Sequence, residues 1–229
     1  MQTVILNHIP YTPDLAQLQQ HLHIRSESQG ERELSKFVQE AQSIARPKAL
    51  YKSVQVEKKS LNEVSLNGVT LTSRVLRVNL DPVEVAFPFL VTCGLELEAW
   101  SQSIKDFLYR FWADAIKEQA LSSAFQAFEQ QIIQNNLPGH SSMMNPGSLE
   151  DWPLQQQKPL FAILGEEVAG TGVQLSESCL MIPNKTVSGI RFAAEADFES
   201  CQLCQRENCP NRRAPYDEHL YALRYQETA

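Results

Sequence analysis

The chain has 229 residues, 43% hydrophobic and 21% charged, enough for one large domain or a domain with a short module. Its net charge of −7 argues against non-specific binding to nucleic acid or to an anionic membrane, which needs clustered Lys and Arg. The N-terminal "MQTVILNHIPYTPDLAQ" lacks the features of a signal peptide, and the best apolar run, "VAFPFLVTCGL", is short and broken by Pro88. A protein without a membrane span, in the cytoplasm, is therefore expected.

In chain order, "YTPDLAQLQQHL" predicts a helix with Thr12 as N-cap, Pro13 at the first helical position and Asp14 in the first turn. A second helix is expected from about Glu31 to Ala45, with Leu34, Phe37, Val38 and Ala41 on one face and Pro47 ending it. "LYKSVQVEKK" alternates through Tyr51, Val54 and Val56, and Asn67-Gly68 between apolar runs signals a hairpin, because a type I′ turn needs positive φ at both central residues. "VEVAFPFLVTCG" reads as a further strand ending at Gly94.

From Leu95 to about Asn135 the pattern is helical, with a break near Ala99–Ser103 and an expected apolar face of Ile104, Leu108, Phe111 and Ala115. "NNLPGHSSMMNPGSLEDWP" reads as a long polar connection, of a length that is usually functional. A helix from about Leu154 to Leu164 stops at Gly165, and "CLMIPNKTVSGIRFAA" suggests two strands joined by "PNK". This order predicts an α+β fold, helices packed on an antiparallel curved sheet. Residues 1–195 form its main domain, and 196–229 a C-terminal cysteine-rich metal-binding module.

Three stretches occur in series: "TCGLELEAW" near residue 92, "MNPGSLEDWPLQQQKPLFAILG" from 144 to 165, and "LSESCLMIPNKTVSGIRF" from 175 to 192. Together, across roughly residues 80 to 195, they resemble the activation (reactivation) domain of cobalamin-dependent methionine synthase, in a short stand-alone form. The resemblance implies a protein that binds S-adenosylmethionine and presents its methyl group to cob(II)alamin on a neighbouring domain. It places candidate cofactor contacts at Asn145, Pro146, Gly147, Lys185 and Ser188, and a partner-facing surface over 141–153 and "IPNKTVSG".

The family's loop reads Arg-x-x-Pro-Gly-Tyr, its arginine gripping the cofactor carboxylate with two parallel hydrogen bonds. Here Met143 stands at the arginine's position and Ser148 at the tyrosine's, so weak or absent S-adenosylmethionine binding is expected. On residue chemistry alone, "NPGS" and "IPNK" are also ordinary turns.

Cys201, Cys204 and Cys209 follow with C-x₂-C-x₄-C spacing. A C-x₂-C step lets two thiolates meet one metal from a single turn, and three close thiols in a reducing compartment point to metal rather than to disulfides. An iron–sulfur cluster or zinc is expected, with Arg206, Arg212 and Arg213 offsetting its charge. Cys179, Cys93, His219 or an external ligand are candidates for the fourth position.

No Walker loop, G-x-G-x-x-G, G-x-S-x-G or H-E-x-x-H is present, and no catalytic residue is assigned. The expected function is an accessory protein of corrinoid-dependent methyl transfer, docking on a cobalamin-carrying protein. The alternative is a metal-binding structural or interaction protein that keeps the fold without the ligand.

Overall fold

The structure is a computed structural model and describes residues 2–194, 198–209 and 212–226. Its strands are β1 (Thr3–Leu6), β2 (Lys48–Lys52), β3 (Val54–Lys58), β4 (Glu63–Leu66), β5 (Val69–Thr72), β6 (Val85–Thr92), β7 (Ser141–Met144), β8 (Gln174–Leu175), β9 (Met181–Ile182) and β10 (Thr186–Ala193). The helices are α1 (Leu15–His21), α2 (Gln29–Ile44), α3 (Arg74–Asn79), α4 (Leu95–Ser103), α5 (Phe107–Asn135) and α6 (Gln157–Leu164).

All strand ladders are antiparallel. The central strand β6 pairs with β10 on one edge and with β2 and then β3 on the other; β1 lies beyond β2, and β7 beyond β10. The expected α+β architecture is thus what the chain adopts.

Two physical details shape the sheet. The expected single strand 50–59 is interrupted at Ser53, although the register is continuous through Tyr51↔Phe89 and Val54↔Ala86. The missing pairs are those of Lys52 and Ser53, opposite Pro88 and Phe87, and Pro88 has no N–H to give to the ladder. Ser53 bonds instead to β1's approach, its N–H donating to the Gln2 carbonyl at 2.9 Å. The Asn67-Gly68 hairpin forms as the sequence predicts, with φ of 52° and 76°.

Alternation along β6 divides the core. Phe87, Phe89 and Val91 face α5 and pack with Ala124, Phe128 and Ile132. On the opposite face, Ala86 joins Ile190, Phe192, Met144, α3, α6 and Trp152, and there Phe198 and Tyr225 from the C-terminal segment enter the core. α1, α2 and α4 close over the first half of α5 through Leu18, Leu34, Val38, Ala41 and Leu97.

Several expectations need correction. α1 is capped by Asp14, whose side chain accepts from Gln17 N, rather than by Thr12. The helix break falls at 104–106, where Asp106 caps α5 by accepting from the N–H groups of Leu108 and Tyr109. The buried stripe of α5 is Trp112, Ile116, Ala120, Ala124, Phe128 and Ile132, while Leu108 and Phe111 are 56% and 55% exposed. Of the expected face only Ala115 is buried. The connection after Asn135 contains β7, an edge strand paired to β10. β9 and β10, expected as partners, do not pair with one another: β9 pairs only with β8.

Candidate functional site

The "NPGS" and "TVSG" stretches are packed against each other. Asn145 Nδ2 donates to the Ser188 carbonyl at 2.8 Å. This contact exists because residue 189 is glycine: a Cβ there would lie 2.4 Å from the Met144 carbonyl oxygen, 2.6 Å from Asn145 Nδ2 and 3.0 Å from Phe89. Ser188 is buried and its hydroxyl reaches Gln157 Oε1 of α6 at 2.7 Å. Pro146 is buried beside them, and Gly147 takes φ of 86° in a turn closed by its N–H to the Trp152 carbonyl at 2.7 Å.

The rest of the loop is held by Asp151. Its carboxylate accepts from the N–H groups of Arg74 (3.1 Å) and Val75 (2.9 Å) and from the Ser73 hydroxyl, covering the start of α3. Trp152 is fully buried, so it anchors the loop and is not a surface contact as its place in 141–153 suggested.

Beside this loop lies a cleft of about 530 Å³. Ser148, Leu149, Glu150 and Asp151 line one wall; Leu203, Cys204, Gln205, Arg206 and Tyr221 line the other. Tyr221 begins a π-helical turn, Tyr221–Tyr225, which Tyr225 fixes by burying its ring and donating its hydroxyl to Asn79 Oδ1 at 3.2 Å. Burial pushes the Tyr225 phenol above its ordinary pKa. A hollow of about 250 Å³ between α1 and α5 shares no residue with these motifs.

Asn145, Pro146, Gly147 and Ser188 are therefore brought together, and Lys185 stands apart. Its ammonium lies 2.8 Å from Asp114 and 3.1 Å from Glu118, both on α5. Burial pulls its pKa down, but the bonds to those two carboxylates outweigh it and leave it raised.

The preceding Asn184 Oδ1 accepts from Lys117 Nζ at 2.9 Å, and Lys117 is buried in an ion pair with Glu98 at 3.0 Å. The "IPNK" turn is thus clamped to α4 and α5. Neither the Lys117–Glu98 pair nor the cleft-lining Tyr221 carried a sequence signal, whereas Arg206 was singled out only as a cation beside the cysteines.

Met143 is 5% exposed and packs with Phe89 and Phe128 on the α5 side of the sheet. Its cross-strand neighbour Arg191 is held by Glu129 of α5 at 3.2 Å and by Ser141 at 3.2 Å. The position at which the resemblance would put a carboxylate-gripping arginine therefore faces core.

Cys201, Cys204 and Cys209 are half-buried and free, and among the described residues no three His, Cys, Asp or Glu side chains converge as a ligand group. Their backbones, however, gather on one residue. Arg212 Nη1 donates to the Cys201 carbonyl at 2.9 Å and Nη2 to that of Cys204 at 3.0 Å. Its backbone N–H reaches the Cys209 carbonyl at 3.2 Å, and the N–H of Arg213 points at Cys201 Sγ, 3.4 Å away.

Cys93 is fully buried, and desolvation pushes its thiol up to about 12. No helix among the described residues is long and apolar enough to cross a membrane.

The result is an α+β fold in which an antiparallel sheet carries its long helix on one face and a motif loop is folded onto the central strand pair from the other. Among solved structures, the chain is similar to the crystal structure of the MetH reactivation domain bound to AdoHcy. The TM-score is 0.63 at 14% identity, over 87% of this chain and 81% of that one. At that identity the likeness is one of fold. No protein-family model and no curated protein matches the sequence.

Proposed function

We propose that this chain is an accessory protein of corrinoid-dependent methyl transfer, which docks on a cobalamin-carrying protein and supports or restores its active state. The observation that carries the reading is the fold shared over 87% of the chain with the MetH reactivation domain. The packing of "NPG" onto Ser188-Gly189 supports it, because it preserves a shaped loop beside an open cleft. In such chemistry the corrinoid does the bond-making and the protein supplies orientation.

The cleft is the place for a small ligand of the kind the solved neighbour holds. A guanidinium on a ligand's carboxylate is a charge-assisted pair worth roughly 1.5–3 kcal/mol or ~10- to 150-fold in affinity, and residue 143, whose side chain faces α5, does not supply it here. Lys185 and Arg191 are both committed to α5 carboxylates, so Arg206, which lines the cleft, is the guanidinium positioned to substitute.

The test is co-purification and titration with a corrinoid protein from the same cell, comparing wild type with Glu150→Lys and Arg206→Glu, which alter exposed residues of the cleft rim. Saturable binding weakened by these changes supports docking through this face. No association with any corrinoid protein overturns the reading. The alternative, an interaction protein that keeps the fold without the ligand, is favoured by the core packing of Met143. Calorimetry with S-adenosylmethionine separates the two: measurable binding that Arg206→Ala removes argues against the alternative.

A further inference from the structure

We propose that Cys201, Cys204 and Cys209 hold one thiophilic metal centre, a zinc ion or an iron–sulfur cluster, at the wall of the cleft. The chain is threaded so that a single residue, Arg212, is bonded to the carbonyls of all three cysteines. A guanidinium presents several donors in a rigid fork, and here two of its nitrogens span the C-x₂-C turn. The segment Ser200–Leu203 is a 3₁₀ turn, closed by the Cys204 N–H to the Cys201 carbonyl at 3.3 Å, which sets the first two thiols one turn apart. The return of the chain to Cys201 is fixed by the Arg213 N–H on its sulfur and by an Arg213–Glu199 ion pair at 3.0 Å.

The sulfurs themselves are not converged. What the fold supplies is the backbone half of the site: the contacts of Arg212 and Arg213 hold the carbonyls of all three cysteines and the sulfur of Cys201. The Arg212 guanidinium lies against the backbone of the C-x₂-C turn, bonded to the carbonyls of Cys201 and Cys204. The cleft-lining Arg206 adds a second cation nearby.

The other cysteines do not complete the set. Cys93 directly follows Thr92, which is paired with Thr186 at the start of β10, and Cys179 lies a few residues before that strand. The C-x₂-C turn comes after the far end of β10, whose eight residues span roughly 24 Å at the rise of an antiparallel strand. Both are also buried, Cys179 at 3% exposure. His219 directs Nε2 to Glu218, 3.4 Å away. Three thiolates from this turn leave the fourth position to an external ligand, the arrangement associated with reactive rather than purely structural metals. Since Cys204 lines the cleft, that centre sits next to whatever the cleft binds.

The test is metal analysis of the full chain purified anaerobically, with zinc, iron and acid-labile sulfide quantified, followed by Co²⁺ titration of the metal-free protein. The expected result is one centre per chain: zinc without sulfide identifies the ion, iron with sulfide the cluster. Cys201→Ser, Cys204→Ser and Cys209→Ser each weaken binding by ~10-fold or more, while Cys179→Ser does not. Arg212→Ala weakens affinity yet keeps the Co²⁺–thiolate absorption, as a positioning residue should. Circular dichroism of each variant checks that the fold is intact.

Wild-type protein that takes up neither metal nor cluster after anaerobic reconstitution overturns the proposal. So do single serine variants that bind as tightly as wild type, or thiol counting that finds Cys201 and Cys204 joined as a disulfide.

Discussion

Replacing Gly189 by alanine tests the junction on which the candidate site is built. The backbone of Gly189 lies in β10 between Phe89 and the strand end at Met144, in a conformation that alanine can adopt. The added Cβ would meet the Met144 carbonyl at 2.4 Å and Asn145 Nδ2 at 2.6 Å. The first of these is backbone and must shift as a whole. Overpacking of this kind costs about 1–3 kcal/mol, and a backbone contact belongs at the upper end.

Against that stands a gain of about 0.4–1 kcal/mol, because alanine restricts the unfolded chain more than glycine does. The net is ~2 kcal/mol of destabilisation, which for a chain of this size lowers Tm by about 4–8 °C. Thermal unfolding by circular dichroism measures the loss, and NMR shifts at Trp152 and Ser188 report whether the loop has moved. The double change Gly189→Ala, Asn145→Gly removes one of the obstructed groups and should recover part of the loss. A variant as stable as wild type, with an unmoved loop, would refute the close approach.

Asp151→Ala strips three acceptor contacts from the start of α3 and should cost about 1–2 kcal/mol, as loss of a helix cap does; denaturant unfolding checks it. Lys117→Met leaves Glu98 buried without its cation and should cost ~3–5 kcal/mol, whereas Lys117→Met with Glu98→Leu should recover most of that, as read by the same melts. Cys93, raised to about 12, keeps its thiol protonated in the fold. Its contribution to stability is therefore full below the unfolded value near 9 and lost as pH rises through 12. Alkylation at pH 8 should modify Cys201, Cys204 and Cys209 in the metal-free protein well before Cys93, measured by mass spectrometry of peptides. Met143→Arg should destabilise without restoring ligand binding, since its side chain faces Phe89 and Phe128; calorimetry that found tight S-adenosylmethionine binding would contradict this.

The sheet was legible where local chemistry decides. Asn67-Gly68 imposes its turn whatever surrounds it, and Gly165 stops α6 because a positive φ suits only glycine there. The burial of Leu34, Val38 and Ala41 followed from helical spacing alone. The stripe on α5 was misassigned because Leu108 and Phe111 are apolar yet exposed, and only the packing of the other elements decides which side of the helix is covered. β7 was missed because "SSMM" is short and polar, and only its pairing to β10 makes it a strand.

For the site, the three motif stretches were legible in order, and the fold brings the second onto the third. What could not be read was direction. Met143 and Met144 are adjacent on β7, and that single step decides which faces α5 and which faces α6. Nor does spacing show that Lys185 spends its charge on α5, or that Arg212 gathers the cysteine carbonyls, because those are long-range contacts.

The proposed role of this fold is docking on a corrinoid protein. It is tested most directly by titrating a cobalamin-carrying protein, held as cob(II)alamin, with the purified chain while following the visible spectrum of the cobalamin and complex formation by sedimentation. The account predicts a saturable one-to-one complex, a change in the cobalamin spectrum on binding, and weakening of both by Glu150→Lys or Arg206→Glu. A cobalamin spectrum that never changes, with no complex at any concentration reached, would contradict it.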